Sequence, residues 1–399
     1  MQGVISIFII FLITTFVAAR WPKIKKIILI AFILRFLLII INNYFYNLPD
    51  NNKDAINFEI LAWDLAQLNL FQILEYYNGP DPYFISWLIS IPYYLFGRSL
   101  LLAQSISLFF GMSIVFFIWY FVRKIWNEDI ANKISWIAAL FPSQILYSIL
   151  ILRESYIGFF MVLACYGVIT WGKNQNLKSF FFAITGFTGA IFFHGAMLVG
   201  LLVFLSFVLI DYLNNFFKKI KFLIINIKDL IFLLSTIIFF VLFIFNKFQV
   251  PYLNNFEYLM NLDNIIAKIA KQNIGGAAYP LWTIPKDKID LILKIPIRCI
   301  YFLFSPFPWD IKDFSQSIGL LDSFLHICLF YLIFKNIKYI WNDYPSRILL
   351  FILLAYIFVF SIGVGNFGTG IRHKTKLFPI ILFLIVPFIN KLVSFKIKK

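Results

Sequence analysis

The chain reads as an all-α protein, a polytopic bundle of transmembrane helices, and three observations carry that reading. Apolar runs near the ~20 residues needed to cross a bilayer recur from one end to the other. The composition is 61% hydrophobic and only 14% charged, whereas a soluble globular chain is roughly 45–50% apolar and about 25% charged. Lys and Arg gather in short segments between the apolar runs, the distribution that fixes helix orientation in a membrane. That distribution accounts for the net charge of +16 without a nucleic-acid partner. Cys165, Cys299 and Cys328 are far apart and lack metal-binding spacing, so they read as packing residues or free thiols. No soluble domain interrupts the pattern, and residues 1–399 form one integral-membrane domain.

Taken in order, residues 1–19 form a first span. Arg20, Lys23, Lys25 and Lys26 follow it rather than precede it, the wrong polarity for a cleavable signal, and read as cytoplasmic. A second span at 27–46 leads into an outer loop, 47–97. Pro80, Pro82 and Pro92 break its aromatic part, 83–96, into an interfacial or re-entrant segment, since aromatic rings favour the headgroup level. Spans follow at 99–121, 133–152 and 155–171, with Arg153 and Glu154 at the outer turn between the last two. Residues 179–212 are apolar throughout yet lie between two basic loops on the same side. One span cannot join them, so they divide into two short helices that break near His194-Gly195. A span at 229–246 opens a second outer segment, 247–316, whose YFLFSPFPWD stretch (301–310) reads as re-entrant. Spans at 317–334, 347–363 and 377–392 complete about 11 crossings. The N-terminus lies outside and the C-terminus inside, in the inner (plasma) membrane.

Three places gather residues able to do chemistry. The first is Asn47–Asp81, rich in Asp and Glu. Its acids are either merely solvated or form a site. Phe58, Leu61, Ala62 and Leu65 repeat at helical spacing as a stripe able to lie on the membrane. Asp54 then stands at the start of that helix, where a carboxylate is favoured, as a candidate general base, with Glu59 and Asp64 behind it. The second is GNFGTGIRHKTK (365–376), where Arg372, His373, Lys374 and Lys376 defy the positive-inside trend. It is either charge tolerated at a helix end or an anion site. In the second case Gly365, Gly368 and Gly370 converge backbone N–H groups on phosphate oxygens, Arg372 adds a planar fork, and His373 either protonates a leaving phosphate or hydrogen-bonds it. The third is Arg153-Glu154. Helix neighbours point about 100° apart, so each needs another partner: an ion pair elsewhere, or substrate phosphate for Arg153 and sugar hydroxyls for Glu154. His194, at the helix break, is either a packed polar residue or a substrate contact. No His/Cys cluster suggests a tightly held metal. A divalent cation (Mg or Mn) bridging Asp54, Glu59 or Asp64 to a phosphate needs only one or two carboxylates. No Walker loop is present, which argues against an ATP-driven transporter.

Three stretches carry a resemblance: DAINFEILA (54–62), PDPYFISWLISIPYYLFGRSLLLAQSISLFFG (80–111) and ALFPSQILYSILILRESYIGFF (139–160). Their order and spacing resemble the GT-C superfamily of membrane glycosyltransferases, and most of all its family 39, protein-mannosyltransferase-like branch, over residues 27–210. The resemblance implies a GT-C-like bundle with outer-face loops and interfacial helices. It also implies transfer of a sugar from a polyprenyl-phosphate carrier to a glycan or lipid acceptor, with Asp54 in the place of the family's catalytic acid. The chain departs from the family in lacking an adjacent Asp-Glu pair, which argues against a protein acceptor.

These readings leave a lipid-carrier-dependent glycosyltransferase of cell-surface polysaccharide synthesis as the first expectation. The alternatives are an O-antigen or capsular polysaccharide polymerase acting on undecaprenyl-pyrophosphate-linked repeats, and a transporter of lipid-linked sugars. Transporters often show two corresponding halves, and no such halves are seen here.

Overall fold

The computed structural model describes residues 1–51, 53–77, 79–221, 262–273, 275–312 and 316–389. Among them the chain is helical, with no strand and one isolated bridge between Ala278 and Asn366. An N-terminal hairpin, α1 (Gln2–Arg20) and α2 (Lys25–Tyr44), leads to three shorter helices, α3 (Lys53–Ala66), α4 (Leu70–Glu75) and α5 (Phe84–Phe96). Then come α6 (Leu100–Ile125), α7 (Glu128–Leu140), α8 (Pro142–Tyr147) and α9 (Glu154–Asn174). α10 (Leu177–Phe193) and α11 (Leu198–Lys221) are separated by a short 3-10 turn, Gly195–Met197. α12 (Leu262–Gln272), α13 (Lys288–Phe304), α14 (Ser317–Lys335), α15 (Ile337–Asn342), α16 (Tyr344–Gly363) and α17 (Phe367–Ile385) complete the described chain.

Among the described residues, seven helices are long and apolar enough to cross a membrane: α1, α2, α6, α9, α11 with its leading turn, α14 and α16. The protein is therefore membrane-embedded. The sequence suggested about 11 crossings, and the difference has identifiable sources. The span expected at 229–246 lies outside the described residues. α5 and α10 are apolar but shorter. The span expected at 133–152 is instead α7, α8 and a buried run of turns from Ser148 to Arg153; Pro142 starts α8, and a residue before proline leaves the helical region. The span expected at 377–392 begins ten residues earlier, at Phe367, because Asn366 caps it: its side chain accepts from the Thr369 N–H at 2.8 Å.

α9 is the hub, with α6, α10, α16 and α17 packed on it. Its contact with α10 is backbone on backbone. A Cβ added at Gly167 would stand 2.2 Å from Ala183 N, and one added at Gly186 would stand 2.3 Å from Ala164 N. Small residues are what lets membrane helices approach so closely. Two buried arginines donate to backbone carbonyls, which supply acceptors where water is absent. Arg35 donates to Ala31 O and Ala139 O. Arg298 donates to the carbonyls of Thr283, Ser361, Ile362 and Val364.

The stripe Phe58, Ala62 and Leu65 does not lie on a membrane surface. It is buried, and α3 packs on α5, with the Phe58 ring edge-on to Tyr83 at 5.9 Å. The apolar face of α3 found protein as its partner.

Candidate functional site

The start of α3, the start of α9, the break after α10 and the first turns of α17 meet at one end of the bundle. α17 supplies Arg372, His373 and Lys376. Residues 372 and 376 are four apart and share a helix face. Arg372 bridges two carboxylates. Its Nη1 donates to Asp54 Oδ2 at 2.7 Å and its Nε to Glu154 Oε1 at 3.3 Å. Both acids sit in the first turn of their helices, α3 and α9, where the helix dipole favours negative charge. They differ in one respect that decides their roles. The Asp54 side chain is 52% exposed, while that of Glu154 is 0% exposed. The Lys376 ammonium, also buried, stands 3.5 Å from the same Glu154 oxygen. The other oxygen, Oε2, is buried with no hydrogen-bond partner among the described residues, which leaves an acceptor free for a hydroxyl.

Asp50 adds a third acid nearby. It occupies a left-handed turn (φ 64°), and the Tyr147 hydroxyl donates to its Oδ2 at 2.6 Å. Burial raises its carboxyl above the usual carboxylate range, against the opposing pull of Tyr147 and Arg372. Arg153 ties the wall together. Its Nη1 donates to Phe193 O at 3.2 Å and Pro82 O at 3.3 Å, and its guanidinium stands 5.3 Å from the Phe58 ring.

The two histidines are fixed in tautomer by their neighbours. The Lys376 ammonium has only donors and stands 2.8 Å from His373 Nδ1. The Ala196 backbone N–H donates to His194 Nδ1 at 3.3 Å. With Lys376 as the ammonium, each Nδ1 accepts and each ring carries its proton on Nε2. The rings lie 5.4 Å apart, with His373 stacked on Phe360 at 4.5 Å. Arg372, Arg153, Lys376 and two imidazole N–H groups make this a donor-rich locality, suited to an anion.

Of the sequence candidates, Asp54, Arg153, Glu154, His194, Arg372 and His373 are brought together. Arg153 and Glu154 do not pair with each other; Glu154 takes its cations from α17. Glu59, Asp64 and Lys374 stand elsewhere. Glu59 is buried against Arg98, which donates at 3.0 Å and 2.7 Å, and it accepts from Tyr93 OH at 3.0 Å. Its oxygens are spent holding α3 to α5. Asp64 is exposed and ten residues beyond Asp54 on α3, about 15 Å away at 1.5 Å per residue. Lys374 is buried and donates to Leu303 O, Ser305 O and Ser323 Oγ. It points two residues, some 200°, around α17 from Arg372. Nor do Gly365, Gly368 and Gly370 form a nest in a loop: the helix already begins at Phe367. Asp54, Glu59 and Asp64 do not come together, and no group of three or more His, Cys, Asp or Glu able to hold a metal occurs among the described residues.

Sequence reasoning gave no role to Asp50 or Tyr147, and it named Lys376 only as part of the basic 365–376 stretch. Asp50 had a signal, an Asp after Pro in a run of Asn, a composition that tolerates positive φ. Tyr147 had none. Comparison with protein-family models, with curated proteins and with solved structures finds no match to this chain.

Proposed function

We propose that the protein is a membrane glycosyltransferase that moves a sugar from a polyprenyl-phosphate carrier to a glycan or lipid acceptor. In this reading the fold is a GT-C-like bundle of about 11 spans, and the site end is the outer face of the plasma membrane. The observation that carries it is the bridge through Arg372: one arm to a buried, permanently held carboxylate and one arm to a half-exposed carboxylate. Glu154 keeps Arg372 in place. Asp54 occupies the arm that a phosphate would take.

The mechanism follows from that exchange. The carrier phosphate displaces Asp54 from Arg372 and accepts hydrogen bonds from its guanidinium, with the Nε2–H groups of His194 and His373 close by. Asp54, released at the rim, accepts the proton of the acceptor hydroxyl. The hydroxyl oxygen bonds to the anomeric carbon as the bond from that carbon to the phosphate oxygen breaks. The electron pair leaves on the phosphate, where fixed positive charge stabilises it. The orphan Glu154 Oε2 offers an acceptor for a donor hydroxyl.

The cluster of two Arg and two His also favours a second reading, a polymerase in which these groups, rather than Asp54, handle a pyrophosphate leaving group. Reconstitution in vesicles with labelled lipid-linked sugars, followed by sizing of products, separates the two. One added sugar supports the transferase, and a ladder of products supports the polymerase. Movement of the labelled lipid across the bilayer with no new glycosidic bond overturns both in favour of a transporter.

A further inference from the structure

At the opposite end of the bundle, α6, α9 and α10 border an open groove of about 320 Å³, lined in part by Lys124, Lys173, Asn176 and Lys178. α6 is 26 residues long, so this end lies about 39 Å from the helix's other terminus at 1.5 Å per residue. Three lysines, all exposed, line this one space, and no carboxylate does. The neighbouring cations are treated differently: Arg123 pairs with Glu128 at 3.6 Å and Lys133 with Asp129 at 2.7 Å. Lys124 and Lys173 are held instead over aromatic rings, Tyr166 at 5.7 Å and Trp126 at 5.3 Å, which position a cation without neutralising it. The groove also opens on the N-terminus of α10, where Asn176 caps the Ser179 N–H at 2.8 Å and the helix dipole adds positive potential.

We propose that this groove binds the phosphate of an anionic lipid in the leaflet at the basic end of the bundle. Lys124, Lys173 and Lys178 contact the headgroup, and the acyl chains run along α10. A lipid rather than a free phosphate is indicated by what lies next to the groove. Leu177 and Phe181 are 75% and 61% exposed, one turn apart on the face of α10 adjoining Lys178 and Phe182, which line the groove. An apolar strip therefore continues from a cationic groove, the complement of a headgroup joined to a tail. The site stands apart from the Asp54–Arg372 pair and does not rest on the function proposed for it.

The test is lipid retention by the purified full chain, read by native mass spectrometry after titration with phosphatidylglycerol, phosphatidylcholine or inorganic phosphate. The parent protein should retain phosphatidylglycerol and not phosphatidylcholine. The combined Lys124→Gln, Lys173→Gln, Lys178→Gln variant should bind phosphatidylglycerol on the order of 100-fold more weakly, from the energy of three basic residues near an anionic surface. The corresponding triple Arg variant keeps the charge and should restore binding, which separates loss of the site from loss of the fold. Leu177→Ser with Phe181→Ser should weaken phosphatidylglycerol binding alone. Equal retention of phosphatidylglycerol by the triple Gln variant, or equal retention of the two lipids by the parent, overturns the proposal. Tight binding of inorganic phosphate, with phosphatidylglycerol binding unmoved by the Ser changes, overturns the lipid as its source.

Discussion

Asp54 and Arg372 hold each other, yet replacing one or the other should differ sharply in its effect on stability, and that contrast tests the proposed site. Asp54 is half exposed, and its pair with Arg372 belongs to the class of ion pairs worth about 0–1 kcal/mol. Asp54→Asn should therefore leave thermal stability in detergent nearly unchanged. Removing a general base should still slow transfer by about 10²- to 10⁴-fold. Arg372→Gln strips a cation from the fully buried Glu154. Breaking such a pair costs about 3–5 kcal/mol, and Lys376, 3.5 Å from the same oxygen, retains part of it, so a loss of about 2–4 kcal/mol is expected. The same change removes charge stabilisation of the leaving phosphate, worth about 10²- to 10³-fold in rate. The assay pairs thermal denaturation in detergent with transfer in vesicles, normalised to folded protein. If Asp54→Asn destabilises as much as Arg372→Gln while transfer per folded molecule persists, Asp54 is structural and the mechanism fails.

Three further outcomes follow from the same geometry. Glu59→Gln should weaken the α3–α5 contact by about 1–2 kcal/mol, a modest figure because Arg98 is half exposed, and transfer per folded molecule should not change. Gly186→Val forces a side chain into the Ala164 backbone; overpacking costs about 1–3 kcal/mol where atoms can give way, and here the backbone must move, so the yield of folded protein should fall. Asp50 carries a raised carboxyl, so its contribution to stability is present below the unfolded value of about 3.9 and is lost as pH rises through the folded one. Asp50→Asn should then be more stable than the parent at neutral pH, and the advantage should vanish in acid on thermal scans across pH.

What the sequence disclosed was local in origin. The break at His194-Gly195 was legible because the apolar run had to turn between two basic segments. Asp54 at the head of a helix was legible from the spacing of Phe58, Ala62 and Leu65. Arg372 stood out as positive charge where orientation disfavours it. What stayed hidden depends on how helices rotate against one another. Arg372, Lys374 and Lys376 look like one basic cluster in the sequence. Helical winding sends Lys374 toward the carbonyls of Leu303 and Ser305 and the other two toward Glu154. Glu59 stood second to Asp54 as a candidate until Arg98, 39 positions away, was found to occupy both its oxygens. The partner of the apolar face of α3 was equally a matter of tertiary packing, since lipid and α5 offer that face the same burial.

The three cations of α17 bear on how this protein is made. Each Lys or Arg at the centre of a bilayer-crossing helix costs about 2.5–3.5 kcal/mol to insert, and less toward the ends. α17 brings Arg372, Lys374 and Lys376 within five positions of one another. Their compensating groups belong to segments synthesised far earlier: the acids at the heads of α3 and α9, and the carbonyls that end α13. The segment therefore cannot leave the translocation machinery as an independent unit in lipid. It must be handed into a groove whose walls already stand, which makes completion of the Asp54–Arg372 end and integration of α17 the same biosynthetic event.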